Sequence, residues 1–144
     1  MSGLVVCIVF QVVGVGDDRP PTYEEAYEQA QRTGQPLVVL VGANWCPACQ
    51  SLKDDVLAPM QRSGKLAKVS FAVVNYDREK ELASKLMRGS SIPQLIVFYR
   101  NGTTSWSRQQ ITGATDEKRV VTMIDKAAAL TAKSQSEGTA TVTR

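Results

Sequence analysis

The chain has no histidine and only three cysteines, Cys7, Cys46 and Cys49. Without imidazole there is no Ser/His or Cys/His catalytic pair and no nitrogen ligand for a metal. Three thiols cannot complete a four-ligand zinc or iron–sulfur site without carboxylates or a second chain, and they exclude a disulfide-rich scaffold. A surplus of charge is also missing. Seventeen Lys and Arg stand against fourteen Asp and Glu, a formal +3, and the basic residues are scattered along the whole length. No basic tract or helix face marks a nucleic-acid surface, so no nucleic-acid partner is expected. Long apolar runs are scarce too. The longest, residues 4–15 (LVVCIVFQVVGV), is too short to cross a bilayer as a helix, and stable membrane insertion is not expected.

What is present is a 144-residue chain, 43% hydrophobic and 22% charged, which fits one soluble globular domain with a single core. The run 4–15 suits the apolar core of an export signal. Gly14 and Gly16 supply small residues before a cut and Asp17-Asp18 follow, although no Lys or Arg precedes the run. Its β-branched residues fit a first β-strand equally well. We favour export, because the domain that follows looks complete without this strand. The protein is then secreted or periplasmic and Cys7 is removed. As a strand, the run would make Cys7 an inert core residue and the protein cytoplasmic. The chain thus divides into residues 1–16, a domain over 17–130, and a small, polar tail over 131–144 expected to be disordered.

Within the domain, Thr22 and Glu25 have the spacing of a capping box. Tyr23, Ala26, Tyr27 and Ala30 recur at helical spacing behind them, up to a stop at Gly34. Residues 37–41 (LVVLV) show no alternation, the mark of a central strand covered on both faces. A helix starts at or beside Cys46, with Cys49, Leu52 and Val56 on one face, and Pro59 breaks or kinks it. Residues 71–74 form a second buried strand. Leu82, Leu86 and Met87 mark a short amphipathic helix, and residues 94–99 a third strand. Asn101-Gly102 turns the chain into an antiparallel strand over 106–111. Thr115 caps a last helix with Val120, Met123, Ile124 and Ala127 inward. The order α-β-α-β-α-β-β-α calls for an α/β fold, one mixed sheet with helices on both faces.

Chemistry concentrates at Cys46-Pro47-Ala48-Cys49, directly after the first strand. A thiol at a helix N-terminus is favoured as thiolate by unpaired N–H groups and the helix dipole, which makes it an attacking and leaving group near neutral pH. Pro47 is well suited to the first helical turn. Cys49 should lie deeper and attack a mixed disulfide formed at Cys46. Asp54-Asp55 and Arg78-Glu79-Lys80-Glu81 are read as solvated helix faces. Taken alone, the cysteine pair also fits a structural disulfide or half of an intermolecular zinc site, and Trp45 fits ordinary core packing.

The joint pattern resembles the thioredoxin superfamily. A buried strand, Trp45-Cys46-x-x-Cys49 at a helix start, Ile92-Pro93 before a strand, the Asn101-Gly102 turn and Gly113 occur in family order over residues 22–130. The resemblance implies a thioredoxin-like fold and thiol–disulfide exchange with protein thiols and disulfides, an upstream redox partner, a monomer, and no metal or organic cofactor. It implies that Cys46 is the nucleophile and Cys49 the resolving thiol. It further implies that Pro93 is a cis-proline facing the disulfide, with Trp45, Pro47, Ile92 and Pro93 forming the substrate platform. The sequence departs from the family in two places. Thioredoxins usually bury an acidic residue before the cysteine motif with a lysine on the neighbouring strand, and these positions are Leu40 and Val73 here. The inter-cysteine dipeptide is Pro-Ala instead of Gly-Pro. A non-catalytic binding module and a redox sensor are the alternative functions for such a chain.

Overall fold

Helix α1 (Tyr23–Thr33) starts and stops where the local signals place it. In the computed structural model, which describes residues 19–102 and 104–140, the Glu25 N–H donates to Thr22 Oγ1 at 3.2 Å. The Thr22 N–H donates back to Glu25 Oε2 at 2.8 Å, completing the capping box. That N–H is the main reason the Glu25 carboxyl lies below the usual carboxylate range. Gly34 closes the helix at φ 73°, where a side chain would be strained. Ala26 and Ala30 face the core, but Tyr27 is 42% exposed and stacks on Tyr23 at the rim. Residues 4–15, with Cys7 and the expected cut before Asp17, lie outside the described residues.

Strand β1 (Leu37–Gly42) is buried along its whole length, as its unbroken apolar run requires. It pairs in parallel with β2 (Ser70–Asn75) and antiparallel with β3 (Gln94–Arg100), which pairs antiparallel with β4 (Trp106–Thr112). The sheet order is β2-β1-β3-β4. Val38 and Leu40 join one core cluster, whereas Leu37, Val39 and Val41 join another across the sheet. Each such side chain contributes about 1.5–3 kcal/mol by leaving water. The expected mixed sheet, covered on both faces, is therefore the observed one. Strand β2 differs from its expected full burial: Phe71 and Val73 are only partly covered.

Of the two outcomes expected at Pro59, the cysteine helix does not break. Helix α2 (Pro47–Ser51) widens into a π-helical segment, Leu52–Leu57, and resumes as α3 (Ala58–Arg62), which contains Pro59. Proline lacks an N–H, and its ring clashes with the carbonyl four residues back in a regular helix. The wider turn, in which the Ala58 N–H donates to the Lys53 carbonyl, relieves that conflict, so the chain stays helical through Pro59. Helix α4 (Lys80–Leu86) buries Ala83 and Leu86.

Helix α5 (Glu117–Ala140) corrects two expectations. Its cap is Asp116, whose Oδ1 accepts the Arg119 N–H at 2.8 Å, whereas the buried Thr115 Oγ1 has no partner among the described residues. A carboxylate at this end also meets the positive helix pole. The inward face is as expected, with Val120, Met123, Ile124 and Ala127 all buried. The helix then continues through residues 131–140, which composition marked as a disordered tail. Polarity there hides a continued helical face: Thr131 and Ser134 are buried, and Ser134 Oγ donates to the Thr131 carbonyl at 2.9 Å. Deleting residues 131–144 should therefore lower stability by about 1–3 kcal/mol, the usual range for lost buried contacts. Urea unfolding of the full and shortened chains checks this, and equal midpoints would show that the tail adds nothing.

Candidate active site

The cysteine motif sits where β1 ends and α2 begins. Cys46 is the N-cap residue, with extended backbone angles, and Pro47 opens the helix. The Cys49 N–H donates to Cys46 Sγ at 3.2 Å, and the Cys46 carbonyl accepts the Cys49 and Gln50 N–H groups, each at 3.1 Å. Cys46 Sγ thus lies at the positive pole of the helix, the position that favours a thiolate. The two cysteines are joined as a disulfide, their Cα atoms 5.2 Å apart. Cys49 is the deeper, as expected, but only by a small margin: 3% exposed against 6% for Cys46. Helix position, more than exposure, distinguishes the two sulfurs.

Gly42 lets the helix come this close. A Cβ on Gly42 would stand 3.0 Å from Cys49 Cβ and 3.2 Å from Cys49 Sγ. Beside this contact is a cavity of about 50 Å³ lined in part by Leu40, Val73, Cys49, Gln50, Lys53 and Asn75. Leu40 and Val73 are register partners on β1 and β2, so the two apolar replacements stand side by side next to Cys49. Among the described residues no carboxylate lines the cavity. The partly exposed Lys53 lines it too, loosely paired with Asp54 at 3.6 Å. Asp54 and Asp55 are exposed, and Asp55 accepts from Ser51 Oγ at 2.8 Å.

Of the remaining expected site residues, Trp45 and Pro47 flank Cys46 in the chain, and Ile92 and Pro93 come from the loop ahead of β3. The Ile92–Pro93 peptide is cis, Pro93 is buried, and its carbonyl accepts the Gly113 N–H at 2.8 Å. Ile92 packs against the cluster of Ala43, Cys46 and Cys49. Trp45 is 66% exposed, which excludes the core-packing reading, and Pro47 is exposed beside it. The Trp45 ring is nevertheless anchored, because Nε1 donates to Asp77 Oδ2 at 2.9 Å. Asn75 Oδ1 accepts the Asp77 and Arg78 N–H groups at 3.0 and 3.1 Å, shaping the turn that carries Asp77. Glu79 is no plain solvated residue either, since its carboxylate accepts the Asn75 N–H at 2.8 Å.

Sequence reasoning missed Gly42, Asp77 and Gln94. A glycine ending an apolar strand just ahead of a cysteine pair was a usable signal for Gly42. Asp77 acts through a contact with Trp45 far back in the chain, and Gln94 through a loop whose path no spacing rule predicts. Gly42→Ala should cost about 1–3 kcal/mol in the oxidised protein, the usual range for overpacking, because the disulfide leaves Cys49 little room to yield. The midpoint of denaturant unfolding measures this, and an unchanged midpoint would show that α2 can retreat freely.

The family described as thioredoxin-like matches residues 19–100. Among solved structures, Trichomonas vaginalis thioredoxin is 27% identical with a TM-score of 0.58, covering 75% of this chain and 93% of its own. A Thermus thermophilus thioredoxin is 22% identical with a TM-score of 0.61, covering 74% and 84%. Fasciola hepatica thioredoxin is 21% identical with a TM-score of 0.57, covering 74% and 94%. No curated protein matches the sequence significantly. With the matched region spanning the capped first helix, the cysteine helix and the cis Ile92–Pro93 bond, the chain belongs to the thioredoxin-like family.

Proposed function

We propose that the protein is a thiol–disulfide oxidoreductase that exchanges disulfides with protein substrates through Cys46 and Cys49. The observation that carries this reading is the disulfide at the N-terminus of α2, packed against Ile92 and beside the cis Ile92–Pro93 peptide. In the reducing direction, the Cys46 thiolate attacks a substrate disulfide. One substrate sulfur leaves as a thiolate and the other stays bonded to Cys46. Cys49 loses its proton, and its thiolate attacks Cys46 Sγ. The Cys46–Cys49 disulfide forms, the second substrate sulfur leaves, and both released thiolates take up protons. The substrate gains two electrons and the dithiol loses two. Trp45, Pro47, Ile92 and Pro93 surround the pair as the contact surface. Among the described residues neither the N–H nor the C=O of Ile92 makes a hydrogen bond, which suits pairing with an extended substrate strand.

Variants at the two thiols separate this reading from a structural disulfide and from a redox sensor. With insulin as substrate and a regenerating reductant, the wild type should turn over and Cys46→Ser should not. Cys49→Ala should accumulate a mixed disulfide with substrate, seen on a non-reducing gel. Trapping by the Cys46 variant alone would reverse the roles, and no wild-type turnover would sink the exchange reaction.

The apolar wall of Leu40 and Val73 bears on the second step. An apolar surface disfavours the Cys49 thiolate, and no carboxylate lines the cavity to accept its proton, while the Lys53 ammonium favours the anion. The proton then leaves to solvent, so resolution limits turnover near neutral pH and quickens as pH rises. Leu40→Asp should supply a base and destabilise the fold by roughly 1–3 kcal/mol, the cost of an unpaired buried polar group. Stopped-flow resolution of a preformed Cys46 mixed disulfide across pH is the measurement. Fast, pH-independent resolution in the wild type would mean that another group already serves as base.

A further inference from the structure

Gln94 is fully buried at the start of β3, directly after Pro93 and ahead of the apolar Leu95, Ile96 and Val97. An amide in such a place is costly unless every hydrogen-bonding position is used. Here all four are. Nε2 donates to the Arg88 carbonyl at 3.0 Å and the Ser91 carbonyl at 2.8 Å. Oε1 accepts the Arg88 N–H at 3.1 Å and Gln110 Nε2 at 2.9 Å. An amide offers two donors and two lone pairs, so this side chain is saturated.

The segment it holds has no other such support. Residues 88–92 join α4 to the cis-proline and make no backbone–backbone hydrogen bond among the described residues. Among the described residues, the hydrogen bonds to their backbone come from Gln94.

The direction of the network is set from β4. The Arg108 guanidinium can only donate. Its Nη1 donates to the Leu86 carbonyl at 2.7 Å and its Nη2 to Gln110 Oε1. Gln110 must therefore turn its NH2 toward Gln94, which must answer with its oxygen. The NH2 of Gln94 is left facing the two loop carbonyls. Arg108 is itself held over the Phe98 ring, 5.5 Å from its centroid.

Building on the exchange reaction above, we propose that Gln94 is a positioning residue for protein substrates. Its saturated amide holds residues 88–91, so that the free backbone of Ile92 stands ready beside the disulfide for an extended chain. A small aromatic disulfide needs only the sulfurs and does not use that edge. Loss of the clamp therefore weakens binding of protein substrates and spares the chemistry.

The test compares insulin with 5,5′-dithiobis(2-nitrobenzoic acid) as substrates of the full-length protein. Gln94→Leu should raise KM for insulin by roughly tenfold with kcat little changed, and leave kcat/KM for the aryl disulfide within about twofold. Gln110→Leu removes one of the four bonds and keeps the loop contacts, so it should shift the insulin KM in the same direction by about threefold. That milder variant decides the matter if Gln94→Leu fails to fold. An unchanged insulin KM, or equal losses on both substrates, overturns this assignment while the wild type remains active. A wild type inactive on both substrates overturns the exchange reaction and this assignment with it.

Discussion

Where β1 ends, Gly42 carries no side chain, and Cys49 occupies the space that one would fill. The rest of the site depends on that close approach. It seats α2 against the sheet with its N-terminus at the strand end, and it sets Cys46 at the helix pole. It also brings the disulfide into one cluster with Ile92, which arrives from a distant part of the chain. The approach is possible because β1 is covered on both faces and cannot move aside. Alternate residues of the strand are gripped by separate cores. A rigid strand and a missing side chain together define where the sulfurs lie.

Around this fixed point the surface is built from turns that polar side chains reach into and hold. Asn75 shapes the turn that presents Asp77, and Asp77 holds the ring of Trp45. Gln94 holds the loop that ends in Ile92. Among the described residues the 88–92 loop makes no backbone–backbone hydrogen bond of its own, so its shape depends on the side chain that reaches into it. Apolar packing thus places the sulfurs, and buried or anchored polar groups shape what a substrate meets.

The departure from the thioredoxin pattern at Leu40 and Val73 acquires its meaning from register. Separated by more than thirty residues, they are direct partners on adjacent parallel strands and line the same small cavity as Cys49. An acid and a lysine at such positions would depend on each other, since either alone would be a buried unpaired charge. Two apolar residues pack there without that requirement.

Local chemistry determined much of this protein from the sequence alone. The Thr22–Glu25 box, the stop at Gly34, the turn at Asn101-Gly102 and the inward face Val120, Met123, Ile124 and Ala127 each depend on neighbours within a few residues. So does the placement of Cys46 and Pro47 at a helix start. The tertiary structure decided what local rules leave open. Pro59 does not end its helix, because a widened turn ahead of it absorbs the missing bond. Residues 131–140 stay helical, because Thr131 and Ser134 find buried positions that composition does not foresee. The roles of Gly42, Asp77 and Gln94 arise only once the chain has folded back on itself, over a short span for Gly42 and Gln94 and a long one for Asp77. A propensity is a property of a few consecutive residues, whereas a close approach or a saturated amide is a property of the path the chain takes in space.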